Sequence, residues 1–251
     1  MLNFKKDNLE VYIYDNRQIM GEAAAKDISE CIKNVLLMKE ECNIIFAAAP
    51  SQNDVLKSLI SNKEIEWNRI NAFHMDEYIG LDKTAPQRFG NFLKNVIFDK
   101  VPFKSVNYIA ISNDTEENIK RYNELLLKNP TDLVIMGIGE NGHIAFNDPH
   151  VADFNDDKSI KVVELDQVCR QQQVNDGCFS SIDKVPTQAL TLTIPTLVKA
   201  ENLFCVVPAH TKAKAVYNML NGEIGEQCPA SILRLQNKAK LYLDDKSSTL
   251  L

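Results

Sequence analysis

The chain has 251 residues, of which 45% are hydrophobic and 25% charged. This is the balance of an ordinary globular protein, and it excludes disorder as the dominant state. At roughly 150 residues per domain the length allows one or two domains, and a single α/β domain over 1–251 fits it. Net charge is −6, from 28 basic against 34 acidic residues. No global positive field exists to attract nucleic acid, so a small anionic ligand would need a local device.

Met1 to Asp7 runs straight into strand-like sequence and lacks the apolar core of a signal peptide. The first predicted strand is 11–14, followed by a helix over 17–39 whose apolar residues Ile19, Met20, Ala23, Ala24, Ile28, Ile32, Val35 and Leu36 keep helical spacing. The alternation continues with strand 44–49, helix 52–61, strand 70–74, helix 88–98, strand 107–111, helix 115–128 and strand 133–138. Strands at 161–165 and 203–207, a helix over 211–220 and a last strand at 240–243 complete the set. Thr211 is the expected N-cap of the late helix and Gly222 its stop. Most strands are continuous apolar runs, as expected of strands covered on both faces. The predicted fold is α/β, an open and mostly parallel Rossmann-like sheet with helices on both faces. No apolar run approaches the roughly 18 residues needed to cross a bilayer, so no membrane contact is expected. Six cysteines (Cys31, Cys42, Cys169, Cys178, Cys205 and Cys228) are scattered without metal-like spacing. They suit a reducing, cytoplasmic setting.

Ligands of open α/β sheets bind beyond the carboxyl ends of the strands. Four loops occupy such positions: 48–53, 75–80, 137–149 and 208–212. The third begins Gly137-Ile138-Gly139-Glu140-Asn141-Gly142, a G-x-G-x-x-G run directly after a strand, with Glu164 at a distance suited to a ribose contact. Pro149 weakens that dinucleotide reading, because it would break the required helix after about two turns. The alternative is a glycine turn that brings backbone N–H groups close to a ligand while His143 projects into the site. A structural histidine is the bland reading. Against it stand the glycine turn, the strand end, the nearby acids Glu140 and Asp148, and Asn141, which could hold one ring tautomer. In the second loop, Asp76 and Glu77 follow an apolar run. A carboxylate there can serve as a base only if partly desolvated, and Phe73, Met75 and Ile79 offer apolar surroundings.

Taken together, these motifs resemble the glucosamine-6-phosphate deaminase/isomerase family and its relatives, the 6-phosphogluconolactonases. Met75-Asp76-Glu77-Tyr78-Ile79-Gly80-Leu81 matches the family's M-D-E-Y-[VI]-G-L run, and Gly137 through Pro149 matches its G-[IV]-G-x-D-G-H-I-A-F-N-E-P run with two substitutions. Val185-Pro186, Ala189-Leu190-Thr191 and Ser231-Ile232-Leu233 are similar to further segments. Ile144-Ala145-Phe146-Asn147 favours the deaminase branch over the lactonases.

The resemblance implies conversion of an amino-sugar phosphate to a ketose phosphate and ammonia, with no metal and no organic cofactor. By carry-over, Asp76 moves a proton between C2 and C1, His143 assists ring opening, Asn141 orients it and Asp148 completes the relay. The implied binding residues are Ser51, Gln52, Gly139, Gly142, Lys212 and, as the nearest match for a phosphate-binding arginine, Arg170. Two other readings remain: a 6-phosphogluconolactone hydrolase, and a sugar-phosphate-binding homologue without turnover. Relatives range from single chains to hexamers, so a homo-oligomer stays open.

Departures from the family pattern are specific. Asn141 stands where the family has an acid, and an amide cannot stabilise an imidazolium by charge, so Asn141→Asp is expected to leave activity alone or raise it. Asp148 replaces a glutamate, which draws its carboxylate back by about 1.5 Å, one C–C bond. Glu140 is a candidate to supply the missing charge. The phosphate turn reads Ala47-Ala48-Ala49-Pro50-Ser51-Gln52-Asn53, where Ser51 is expected to cap the next helix and offer its hydroxyl to an anion. The residues of the family's allosteric pocket are not recognisable in 150–154, so activation by an acetylated amino-sugar phosphate is not expected.

Overall fold

The computed structural model describes residues 1–112 and 114–251. Eleven strands form two sheets among the described residues. The large sheet contains β1 (Leu2–Lys6), β2 (Leu9–Tyr14), β3 (Cys42–Phe46), β4 (Ile70–His74), β6 (Ser105–Asn107), β7 (Leu133–Met136), β10 (Asn202–Val207) and β11 (Ala239–Asp244). Their spatial order is β1-β2-β11-β10-β7-β3-β4-β6. Every neighbouring pair is parallel except β1 with β2. A smaller antiparallel sheet joins β5 (Asp76–Tyr78), β9 (Gln188–Leu192) and β8 (Ile160–Glu164), in the order β5-β9-β8.

The apolar strands bury both faces. In β3, Ile44 and Phe46 enter one core and Ile45 the other. In β10, Phe204 and Val206 oppose Leu203, Cys205 and Val207 in the same way. One core is covered by α1 (Arg17–Met38), α2 (Asn53–Ser61) and α3 (Phe89–Leu93), which continues as a π-helical turn over Lys94–Phe98. The other is covered by α4 (Thr115–Lys128), α6 (Ile194–Val198) and α7 (Ala213–Asn221). Asn16 caps α1 by accepting from Ile19 N at 3.0 Å, and Asp114 caps α4 by accepting from Glu117 N at 2.9 Å.

Several expectations change. The predicted strand 161–165 lies in the small sheet, its ladder antiparallel to β9. The ladder predicted at 107–111 is confined to Ser105–Asn107, because the next backbone groups bond to side chains: Ile109 N donates to His74 Nε2 at 2.9 Å, and Tyr108 O accepts from Arg121. Thr211 is not an N-cap. It sits inside a 3-10 turn, His210–Lys212, that runs directly into α7 without a side-chain cap. Gly222 does end α7, its N–H donating to Asn218 O at 2.8 Å. Helix α5 (Gln167–Asn175) is an addition to the predicted elements and carries no apolar stripe, because its buried positions are Cys169, Gln172 and Gln173, two of them polar. Its start is fixed by Asp166, which accepts from Cys169 N at 2.6 Å.

Tyr122 of α4 closes the carboxyl end of β4. Its hydroxyl donates to His74 O at 2.7 Å and accepts from His74 N at 3.0 Å, all of it buried. Phenylalanine at 122 would leave both backbone groups unpaired away from water. We expect Tyr122→Phe to lower the unfolding free energy by about 1–3 kcal/mol in a urea titration.

Candidate active site

The parallel strands of the large sheet release their loops at one edge, and these surround a cavity of about 810 Å³, measured out to its mouth. All four candidate loops reach it. Ala47–Ser51 follows β3, Met75 and Asp76 follow β4, Gly137–Gly139 and His143 follow β7, and Pro208 to Lys212 follows β10.

Asp76 starts β5, where it pairs with Thr191 of β9. It is 6% exposed, and that exposure opens on the cavity. Burial pushes its carboxyl well above the ordinary aspartate range, and the adjacent Glu77 adds to the shift. The neighbouring acids have separate tasks. Glu77 accepts from the backbone N–H groups of Tyr78, Phe89 and Gly90, each at 3.0 Å, and lies 3.5 Å from Arg88 Nε. It thereby anchors the start of α3 and leaves the cavity to Asp76. The backbone of Asp76 is held from behind by His74. Because His74 Nε2 accepts from Ile109 N, the proton is on Nδ1, which donates to Asp76 O at 2.8 Å. Full burial takes the His74 pKa down to about 4, so the ring stays neutral.

His143 lines the same cavity as Asp76. Its ring lies against Gly139, where a Cβ would come within 2.1 Å of Cε1 and 2.2 Å of Nδ1. That contact, and the φ of +84° at Gly142, explain the glycines. Their N–H groups are spent inside the loop, Gly139 N on His143 O at 2.9 Å and Gly142 N on Gly139 O at 3.0 Å. Of the pair, Gly139 alone touches the cavity. The expectation that both offer backbone donors to a ligand is therefore corrected.

Behind the ring, Asp148 Oδ1 lies 2.9 Å from His143 Nδ1. Burial alone would raise the Asp148 carboxyl, but the ring and the amide of Asn141 outweigh it and hold it below the ordinary range. Asn141 does not reach the imidazole. Its Nδ2 donates to Asp148 Oδ1 at 2.9 Å and to Asp166 Oδ2 at 3.3 Å, while its Oδ1 accepts from His143 N at 3.1 Å. Any orienting effect on the ring passes through Asp148 or through the His143 backbone. Glu140 does not supply charge to the ring either, since it turns toward α5 and accepts from Asn175 at 3.4 Å. His143, Asp148 and Cys169 each bring one donor atom to within 4.8 Å of the others, as do Asp148, His150 and Asp166. Among the described residues these are the donor groupings suited in type to a metal, and of their members His143 alone lines the cavity.

Lys212 is 5% exposed, lines the cavity, and its Nζ has no hydrogen-bond partner among the described residues. Burial draws its pKa below the ordinary lysine value, against the pull of Asp176 and Glu140. An unpaired buried ammonium is costly and calls for an anion. The turn that carries it is unusual. Ala209 has φ 84° and ψ 146°, a region that favours glycine and costs other residues about 1–3 kcal/mol.

Ser51 lines the cavity but caps no helix, since it lies within a 3-10 turn, Pro50–Gln52. Gln52 is fully buried behind it and does not line the cavity. Its amide donates to Ser51 Oγ and to Val206 O, each at 3.1 Å. Arg170 is also displaced from its expected place. It lies off the cavity, donating to Ile182 O and Val185 O at 2.7 and 2.9 Å. The arginine that does line the cavity is Arg17, whose Nε lies 2.6 Å from Asp54 Oδ2. Gln172, Gln173 and Asp176 of the α5 segment complete one wall. Arg17 was within reach of sequence reasoning, because it follows directly on a strand end. The glutamines carried no such signal.

The family model for glucosamine-6-phosphate isomerases/6-phosphogluconolactonase matches residues 15–243. A glucosamine-6-phosphate deaminase of Bacillus cereus (strain B4264) is 33% identical over 244 residues, which cover 96% of this chain and 89% of the relative. A solved monomeric glucosamine-6-phosphate deaminase superposes with a TM-score of 0.86 at 27% identity, covering 96% of this chain and 99% of its own. The 6-phosphogluconolactonase of Thermotoga maritima shares the fold, with a TM-score of 0.76 at 19% identity over 94% of this chain and all of its own. With the family's motifs gathered around one cavity and its model spanning nearly the whole sequence, the chain belongs to the glucosamine-6-phosphate isomerase/6-phosphogluconolactonase family.

Proposed function

We propose that the chain converts glucosamine 6-phosphate and water to fructose 6-phosphate and ammonia. The observation that carries this reading is a desolvated carboxylate (Asp76) sharing one cavity with His143 and with the Lys212 ammonium, which has no hydrogen-bond partner among the described residues. The curated deaminases aligned over 96% of the chain support the same reaction. Six free thiols suit a reducing compartment such as the cytoplasm.

The chemistry follows from residue types. The phosphate neutralises Lys212, with the Ser51 hydroxyl as a neutral donor and Arg17 at the rim. The His143 imidazole, backed by Asp148, trades a proton with the ring oxygen and opens the hexose. Asp76 then takes the proton from C2 and returns it to C1. With a proton also passing from the amino nitrogen to the C1 oxygen, this leaves a hydroxymethyl group at C1 and an imine at C2, which water hydrolyses to the ketone with release of ammonia. Burial makes Asp76 a stronger base than a solvated aspartate, and its position supplies the proximity that such a transfer requires. Asn141 serves the relay at one remove, by orienting Asp148.

Ammonia and fructose 6-phosphate release by the purified protein tests the reading. Hydrolysis of 6-phosphogluconolactone without ammonia release would favour the lactonase alternative, and tight phosphosugar binding without turnover would favour a non-catalytic homologue. Asp76→Asn is expected to lower kcat by about 10²–10⁴ or more while leaving phosphosugar affinity within a few-fold. The pH dependence has a definite sign. Asp76 works only when deprotonated and its pKa is raised, so the acid limb of kcat/KM is expected above the ordinary aspartate value of about 3.9. Lys212 binds phosphate only when protonated and its pKa is lowered, so KM is expected to rise on the alkaline side before the ordinary lysine value of about 10.4. The Asn141–Asp148 contact also reverses an expectation drawn from sequence. Asn141→Asp would set two carboxylates against each other where a donor now meets an acceptor, so it is expected to reduce kcat at neutral pH, with partial recovery as pH falls.

A further inference from the structure

The backbone at Ala209 is held in a conformation suited to glycine, and a buried carboxylate from another strand does the holding. Strands β10 and β11 run parallel, with Val207 opposite Leu243. Just beyond that register, Ala209 N donates to both oxygens of Asp244, at 3.1 and 3.2 Å. Asp244 is 1% exposed, and its own place is fixed by Ser247, whose N–H donates to Oδ1 at 2.7 Å and whose Oγ accepts from Asp244 N at 3.1 Å. Ala209 O in turn accepts from Lys212 N at 3.1 Å, which closes the 3-10 turn that carries the lysine.

We propose that Asp244 is a positioning residue for phosphate capture: it clamps the Ala209 N–H, keeps that residue at positive φ, and so delivers the Lys212 ammonium into the cavity. This rests on the reading of Lys212 as the phosphate ligand. The reason for a clamp is local. Alanine at φ 84° and ψ 146° leaves that region unless something opposes it, because its Cβ is crowded there. Relaxing the peptide would rotate the start of the turn and swing the buried ammonium away. A charge-assisted bond shared between both carboxylate oxygens is suited to resisting that rotation. Asp244 does not line the cavity, so it acts through the backbone and not by touching substrate.

The experiment measures inorganic phosphate affinity by calorimetry, and KM and kcat for glucosamine 6-phosphate, in the full chain. Asp244→Ala is expected to weaken phosphate binding and raise KM about tenfold, with kcat within about threefold. Adding Ala209→Gly to that variant is expected to recover at least a threefold part of both losses, since glycine holds the conformation unaided. A general loss of structure would not be repaired in this way. If Asp244→Ala does not fold, Asp244→Asn replaces it, with a smaller loss and the same recovery. A folded Asp244 variant with wild-type phosphate affinity, or one whose lost affinity glycine fails to restore, would overturn the proposal. Lys212→Met separates this failure from that of the underlying reading. If it leaves phosphate affinity intact, the phosphate assignment falls, whereas if it abolishes affinity and Asp244→Ala does not, the positioning role alone falls.

Discussion

The neutral imidazole of His74 ties the strand that ends before the cavity to the strand that begins inside it. Its two nitrogens are engaged in opposite senses, one accepting from Ile109 N and the other donating to Asp76 O. Tyr122 fastens the main chain of the same residue. The fastening matters because β4 and β5 belong to different sheets and only Met75 lies between them. Pairing with β9 holds the far side of this three-residue strand, and the imidazole adds a tie at the Asp76 carbonyl itself.

The charged groups of the site are treated in three ways. Asp76 is buried, and its carboxyl is thereby raised well above the ordinary range. Asp148 is buried with partners and so is held as an anion behind the ring. Lys212 is buried with no hydrogen-bond partner for its Nζ among the described residues, and burial lowers its pKa. Glu77, beside Asp76 in sequence, is taken out of the chemistry altogether by three backbone donors. Adjacent acids in a loop read alike, and hydrogen-bond partners set them apart.

The architecture was legible from the alternation of short apolar runs with amphipathic ones, and the helix over 115–128 agrees with its prediction residue for residue. The carboxyl-edge rule brought attention to Asp76, His143, Ser51 and Lys212, and all four line the cavity. What was not legible depended on contacts distant in the chain. Helix α5 buries glutamines, so no apolar stripe announces it. Strand β5 is too short to show alternation and exists because β9, more than a hundred residues later, pairs with it. Arg170 resembled a ligand by type and neighbourhood, yet one terminal nitrogen of its guanidinium donates to the carbonyls of Ile182 and Val185, away from the cavity. The G-x-G-x-x-G run shows the same limit. Its glycines are needed for a ring and a turn, and a one-dimensional pattern does not distinguish that need from a pyrophosphate.

The division of the site between two sheets has one more implication. Asp76 rides on the small antiparallel sheet, and His143 on a loop of the large parallel one. The gap between Asp76 and His143 is therefore governed by how the two layers nest, through residues that touch neither group. Substitutions at that seam can widen or narrow the gap gradually while both side chains persist. Such tuning offers one scaffold a continuous route between distinct reactions, as in a lineage whose name joins isomerases with lactonases.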